Sequence, residues 1–335
     1  MLTAILTVVL FCIMIIPHEF GHFITAKLCG VQVNEFSMGM GPALYQKQRG
    51  ETLYSVRAVP IGGYCAMEGE NEESGNPRAF NNKNGAQKIL ILAAGAIMNI
   101  LVAILIMIIL VTMIGVATTT LDKVTKNSPA ASAGLKAGDR ITAVNGKDTD
   151  DWSEVVSGIS VVKKGESMTV TVLRNGSDQT FKVTPEYSSK EKRMTVGIQC
   201  RVSHNIFPCA KQGVIATWNL NKMMLKSFKM LFTGKLTRND VSGPVGMVSL
   251  VNQSAHYGAV SFLYLAALIC LNLAVINLLP FPALDGGRIL FVIIRKVTGS
   301  MITDEIEGRV HLIGMSLLMA FFVLITWNDI ARLIH

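Results

Sequence analysis

The sequence predicts a polytopic α-helical membrane protein, with four transmembrane helices, a β-hairpin between the first two and one inserted extracytoplasmic domain. Three observations carry this. Half of the 335 residues are hydrophobic and only 16% are charged, with a mean hydropathy of +0.42, which is too apolar for a soluble enzyme. The apolar residues are bunched into four runs, each long enough for the roughly 20 residues of helix that a bilayer requires. Between the second and third runs lie roughly 140 residues, enough for a small folded domain and a connector.

Taken in order, residues 1–27 form the first transmembrane helix. They lack a basic n-region and a small-residue cleavage site before Pro17, so the segment is expected to stay as a helix rather than leave as a signal peptide. Residues 28–88 form a loop in which Ala43 to Gln48 and Thr52 to Val59 flank a polar turn at Arg49 and Gly50, a hairpin pattern. The second span is 89–117, the inserted domain 118–187, and the connector 188–257. The connector carries Leu220, Met224, Phe228 and Leu231 on one helical face, with Lys222, Lys226 and Lys229 on the other. That helix fits a packing face and an interfacial helix equally well. The third span is 258–280, a short loop 281–307 follows, and 308–329 is the fourth span.

Orientation follows from the short loops. Residues 28–88 carry Lys47, Arg49, Arg57, Arg78, Lys83 and Lys88, and the last loop carries Arg288, Arg295 and Lys296. Both loops should therefore face the cytoplasm, leaving the inserted domain and both termini outside the cell membrane. The net charge of +8 is read as this topology and not as a nucleic-acid footprint, because no aromatic-interleaved basic stripe accompanies it. The six cysteines include no CxxC pair, and only Cys200 and Cys209 sit where an extracytoplasmic bridge can form.

The first span contains His18-Glu19-Phe20-Gly21-His22. On a helix, positions i and i+4 lie about 40° apart, so both imidazoles can meet one metal while Glu19 projects beside its open position. Chance would give an HExxH in a chain this long on the order of one time in a hundred. Two histidines and a glutamate can also pair within a bundle. Inside an apolar span, however, ionisable groups cost several kcal/mol unless paired, metal-bound or wetted, and so mark functional sites.

A catalytic zinc needs one more protein ligand. His18 lies about 22 Å along the first helix, nearer the cytoplasmic side of a core of roughly 30 Å. The third span reaches the same depth near Pro280, followed by Leu284-Asp285-Gly286-Gly287, which makes Asp285 the expected third ligand. By itself, a single Asp at a helix-ending turn is an ordinary cap.

The pair HEFGH and NLLPFPALDGG on separate spans resembles the site-2 protease family of intramembrane zinc metalloproteases, specifically its bacterial members in regulated intramembrane proteolysis. The resemblance covers essentially the whole chain. It implies Zn2+ held by His18, His22 and Asp285, with Glu19 as the catalytic general base. It also implies substrate handling at Asn272 and Asn277, and at Gly39 and Gly41 of a membrane re-entrant β-hairpin, where Met40 replaces the aromatic residue often found. The stretch Ser128 to Gly146, SPAASAGLKAGDRITAVNG, is similar to bacterial PDZ domains. This implies a single PDZ domain at 118–187, acting as a spacer, a size screen or a binder of peptide C-termini. Ser242 to Met247 also matches a family stretch.

The implied substrates are single-span membrane proteins already trimmed by a site-1 protease, such as anti-sigma factors, or signal-peptide remnants. The partners are thus the bilayer and these substrates, with no nucleic acid. Two other classes compete. A catalytically silent PDZ scaffold is disfavoured by the intact Glu19, and a metal transporter by spans nearly bare of polar residues apart from Asn99, Asn272 and Asn277.

Overall fold

Along the chain run α1 (Leu2–Leu28), β1 (Val33–Arg49), β2 (Thr52–Met67), α2 (Gly85–Ile114), β3 (Val116–Val124), α3 (Pro129–Ser132), β4 (Arg140–Val144), β5 (Lys147–Asp148) and α4 (Trp152–Ser160). They are followed by β6 (Met168–Arg174), β7 (Ser177–Val183), β8 (Glu186–Ser188), β9 (Arg193–Thr195), β10 (Ile198–Ser203), α5 (Ile206–Phe232), α6 (Pro244–His256), α7 (Ala259–Asn277), α8 (Asp285–Thr298) and α9 (Asp304–Ile334). This computed structural model describes all residues except 71, 73, 190, 191, 233–242, 299–303 and 335. Two units are distinguished, one of Met1–Leu110 with Gly213–His335 and one of Val111–Gln212.

In the first unit, α1, α2, α7 and residues 305–332 of α9 are long and apolar enough to cross a membrane, and α2 is the most apolar with a hydropathy of 3.0. The core forms around α7, whose Leu265, Ala266, Ala267, Ile269, Cys270 and Leu271 are buried against α1, α2, α5 and α6. Leu220 and Met224 of α5 belong to this core, so that face of the connector helix packs inward. The side chains of Phe228 and Leu231 lie outside the described residues.

Pro17 sits inside α1, where its missing N–H leaves the Ile13 carbonyl without its helical donor. The Cys270 thiol of α7 approaches that carbonyl at 3.9 Å. The proline that precedes His18 therefore also supplies an acceptor linking α1 to α7. A second link is made by Asp329 of α9, which is 4% exposed. Its Oδ2 accepts from the Gly246 N–H at 2.8 Å in the first turn of α6, capping that helix from a neighbouring one. This gives the Gly243–Met247 stretch a structural reason; Ser242 lies outside the described residues.

The β1–β2 pair is longer than a hairpin over 43–59. Each strand doubles back, so Phe36 has both Tyr54 and Cys65 as partners while Arg49 faces Thr52 at the turn. The bends occur where Gly39, Gly41 and Gly62 take positive φ values of 86°, 83° and 96°, a region open to glycine without a Cβ clash. The chain after α7 also differs from a plain loop. Residues 285–298 form an amphipathic helix, α8, so Asp285 opens a helix instead of ending one. An apolar face of Ile289 and Val292 packs on the core beneath the hairpin, a periodicity that a loop would leave exposed.

In the second unit a sheet of order β10-β3-β4-β6-β7, with β5 beside β4, encloses Leu121, Ile141, Val155, Met168, Val172 and Val183. The sheet continues beyond residue 187: β10 pairs antiparallel with β3, Val202 facing Ala117. Cys200 and Cys209 are free thiols. Asp139, 2% exposed, takes two hydrogen bonds from Arg174, both at 2.6 Å, and one from the Lys136 N–H at 2.8 Å. Burial raises the Asp139 pKa, but these donors outweigh it and hold the carboxyl below its ordinary range.

Because the folded-state pKa is depressed, the stabilisation is complete above the unfolded carboxylate value near ~3.9 and is lost as pH falls through the folded value. D139N is expected to destabilise this unit by about 3 kcal/mol at pH 7, since it leaves the Arg174 guanidinium without its charge partner. Thermal unfolding of the detergent-solubilised chain checks this: on acidification below that value the variant should lose less stability than wild type, the remaining loss coming from other paired carboxylates such as Glu51 and Asp151.

Candidate metal centre

His18 and His22 occupy one face of α1 one turn apart, and both are buried, 8% and 6% exposed. Asp285 reaches them from the first turn of α8. His22 Nε2 lies 3.3 Å from His18 Nε2, and Asp285 Oδ2 lies 3.4 Å from each of these nitrogens. Ligands about 2.0–2.1 Å from a tetrahedral zinc are separated by about 3.3 Å, so this triangle has the edge lengths of one face of such a site.

The donor chemistry agrees. His22 Nδ1 faces the Ile91 carbonyl at 2.9 Å, which fixes it as the N–H and leaves Nε2 with a lone pair. Asp285 Oδ2 is buried without a hydrogen-bond partner. Two imidazole nitrogens and a carboxylate oxygen thus converge, a donor set that suits a divalent cation. Among the described residues, these three are the His, Cys, Asp and Glu group that could hold a metal ion.

The histidine pair fits because α2 comes unusually close. A Cβ at Gly95 would stand 2.4 Å from His22 Nε2 and 2.7 Å from His18 Nδ1, and one at Gly21 would stand 2.4 Å from the Ala94 carbonyl oxygen. The two helices therefore pack backbone to backbone, as small residues in apolar helices permit. On the other side, Gly286 and Gly287 let α8 start against the preceding turn, since Cβ atoms there would lie 2.3 Å from Leu279 O and 2.2 Å from Phe281 O. Arg288, one residue on, pairs with Glu70 just after β2, tying α8 to the end of the hairpin.

Glu19 lines a cavity of about 400 Å³ together with His18, His22, Asp285, Glu70 and residues 64–67 of β2. The neighbouring Gly63 also passes close to the Glu19 side chain. Segment 43–59 does not line this cavity; the returning end of β2 does. Asn277, the last residue of α7, has its Nδ2 3.1 Å from His18 Nε2. Asn272 is half-buried five residues earlier on α7, and neither it, Gly39 nor Gly41 lines the cavity. Sequence reading overlooked Gly95 and residues 64–67. The run Ala93-Ala94-Gly95-Ala96 in an apolar span is a legible signal for the former, whereas nothing local marks the latter.

A second cavity, of about 310 Å³, lies in the other unit between Trp152, Val156 and Ile159 of α4 and residues 196–200 leading into and along β10. Among the described residues, β10 is an edge strand that pairs with β3.

A helical membrane protein with a histidine–carboxylate metal centre and an adjacent glutamate is the class these features define. The chain belongs to peptidase family M50, whose profile it matches over residues 6–321, the site-2 protease family. It is 38% identical over 328 residues to a protein of Clostridium acetobutylicum that carries a zinc metalloprotease name, covering 97% of this chain and 96% of that one. It is 29% identical to the regulator of sigma-W protease RasP of Bacillus subtilis, covering 99% of both, and 27% identical to zinc metalloprotease RasP of Geobacillus kaustophilus, covering 97% of both. Among solved structures it is similar to the PDZ domains of SdrC-like proteins from Listeria monocytogenes and Listeria innocua. Both are 23% identical, with TM-scores of 0.22 and 0.23, covering 26% and 27% of this chain and 86% and 99% of those. The protein is accordingly a zinc metalloprotease and a multi-pass membrane protein.

Gly95→Ala should reduce zinc affinity at least about tenfold, because the added methyl displaces both imidazoles from the metal. Zinc measured per purified chain after equilibration with a competing chelator checks this, and a variant retaining wild-type zinc would contradict the close-approach account.

Proposed function

We propose that this chain is an intramembrane endopeptidase that cuts the transmembrane segments of single-span proteins in regulated intramembrane proteolysis. The observation that carries this reading is one cavity shared by Glu19 and the three converging ligand atoms, built on helices apolar enough to span a bilayer. His18, His22 and Asp285 would hold the zinc, which when bound lowers the pKa of a water toward ~7 and polarises a carbonyl. Glu19, lining the same cavity, would take up the proton of the attacking water as general base and deliver it to the leaving amine.

A substrate helix hides its amides in hydrogen bonds to the preceding turn and must unwind before attack. Residues 63–67 pair only with β1 among the described residues, so their other edge is open for strand addition by the unwound segment. Asn277, beside His18, and Asn272, higher on α7, would bond backbone groups freed in the substrate, while Gly39 and Gly41 shape the sheet that carries the edge strand.

The basic short loops support an orientation with the centre near the cytoplasmic side and the termini and the β-rich unit outside. That unit is read as a PDZ domain, its groove beside β10 taking a peptide C-terminus by strand addition. A relative named as regulator of sigma-W protease supports membrane-bound regulators such as anti-sigma factors, trimmed first by another protease, as substrates; signal-peptide remnants have the same single-span chemistry.

Glu19→Gln should lower cleavage of a truncated single-span substrate by about 10²–10⁴-fold while zinc stays bound, the range expected for loss of a general base. Equal cleavage by both chains at equal membrane abundance would refute the assignment. Ala66→Pro, which removes one N–H from the strand beside the cavity, should reduce cleavage with zinc retained. Val56→Pro, in the segment away from it, should reduce cleavage less, and the reverse order would sink the strand-addition account.

A further inference from the structure

The turn that delivers Asp285 is held from outside its own segment. Between α7 and α8 the chain must turn within a few residues, and Ala283 does so with φ +76°, a left-handed conformation unfavourable for a residue with a Cβ. Such a conformation persists when surrounding structure over-determines it. Here the surrounding structure is α9. The Ala283 N–H donates to His311 Nδ1 at 2.7 Å, and the backbone of α9 one turn on lies against the same turn, since a Cβ at Gly314 would meet Pro282 Cβ at 2.4 Å and Pro282 O at 2.7 Å.

The imidazole is itself braced. Its ring packs on Phe291 of α8 with centroids 5.5 Å apart, and its Nε2 lies 3.6 Å from Glu307 Oε1. Glu307 in turn accepts from Arg295 of α8 at 2.6 Å. An Nδ1 that accepts a hydrogen bond carries no proton, so the N–H is on Nε2, facing Glu307. The Nδ1 side of the ring and its packing face are thus directed at α8 and the turn before it, while Nε2 faces Glu307 of its own helix; His311 lies in a different helix from any ligand.

We infer that His311 is a positioning residue for the metal centre: by accepting the Ala283 N–H it holds the Pro282–Leu284 turn in the one conformation that brings Asp285 to His18 and His22. The inference rests on Asp285 being a zinc ligand. It makes α9, which supplies no ligand, a determinant of how tightly the metal is held.

The test compares zinc dissociation constants of the purified full-length chain in detergent, by chelator competition, for wild type, H311A, H311N and D285A. H311A should weaken zinc about 10- to 100-fold, as loss of a residue supporting a ligand does, and lower kcat with little change in KM. H311N should restore most of this affinity, because its Oδ1 can occupy the place of Nδ1 and accept the same N–H. Wild-type affinity in H311A, beside a D285A chain that loses zinc, would overturn the role of His311 alone. Equal losses in H311A and H311N would also overturn it, since ring bulk and not the acceptor would then matter. Wild-type affinity in D285A would instead overturn the ligand assignment on which the inference rests.

Discussion

Two imidazole nitrogens and a carboxylate oxygen meeting inside an apolar bundle form the constraint around which the rest of the first unit is arranged. His18 and His22 come from α1 and Asp285 from the start of α8, and their ligand atoms stand 3.3–3.4 Å apart. Left to themselves these groups are costly, because burying a carboxylate beside two acceptors gains nothing without a cation or proton between them. A zinc held there would tie α1 to α8. The Pro17 break, the close approach at Gly21 and Gly95 and the reversed turn before α8 each cost helix regularity, and each lies within a turn or so of a ligand.

The surrounding structure divides this task between elements of different rigidity. α7, more buried than the other three long apolar helices, fixes the level at which Asn277 meets His18. α2 sets the back wall through its small residues, and the returning end of β2 sets the front wall beside Glu19. The hairpin is strongly bent at glycines, which lets its distal part, with exposed Leu44, Tyr45 and Val56, stay apart from the cavity while residues 64–67 line it. The β-rich unit has its own hydrophobic core and its own ion pair, the buried Asp139 with the part-buried Arg174.

How much of this was legible in the sequence depended on whether the cause was local. HEFGH is readable because its geometry is set by helical spacing, and Asp285 is readable because span length fixes its depth. The four apolar runs are readable for the same reason. The extent of the β-rich sheet past residue 187 was not, because β10 earns no strand assignment until β3, some eighty residues earlier, is beside it. The doubled-back hairpin escaped notice because Gly39, Gly41 and Gly62 look like turn residues of a shorter one. Gly95, His311 and Asp329 act across helix interfaces, and no spacing rule says which helix a given face will meet. α8 was hidden by its charged residues, Arg288, Arg295 and Lys296, which suit a loop as well as the polar face of a helix.

The central claim is that one zinc is held by two imidazoles from α1 and a carboxylate from α8. X-ray absorption at the zinc edge, on the purified chain, tests it most directly. The account predicts a first shell of nitrogen and oxygen only, at about 2.0–2.1 Å, with the outer-shell scattering of two imidazoles. A sulfur ligand at about 2.3 Å, which would point to Cys65 in the same cavity, or scattering from a single imidazole, would contradict it.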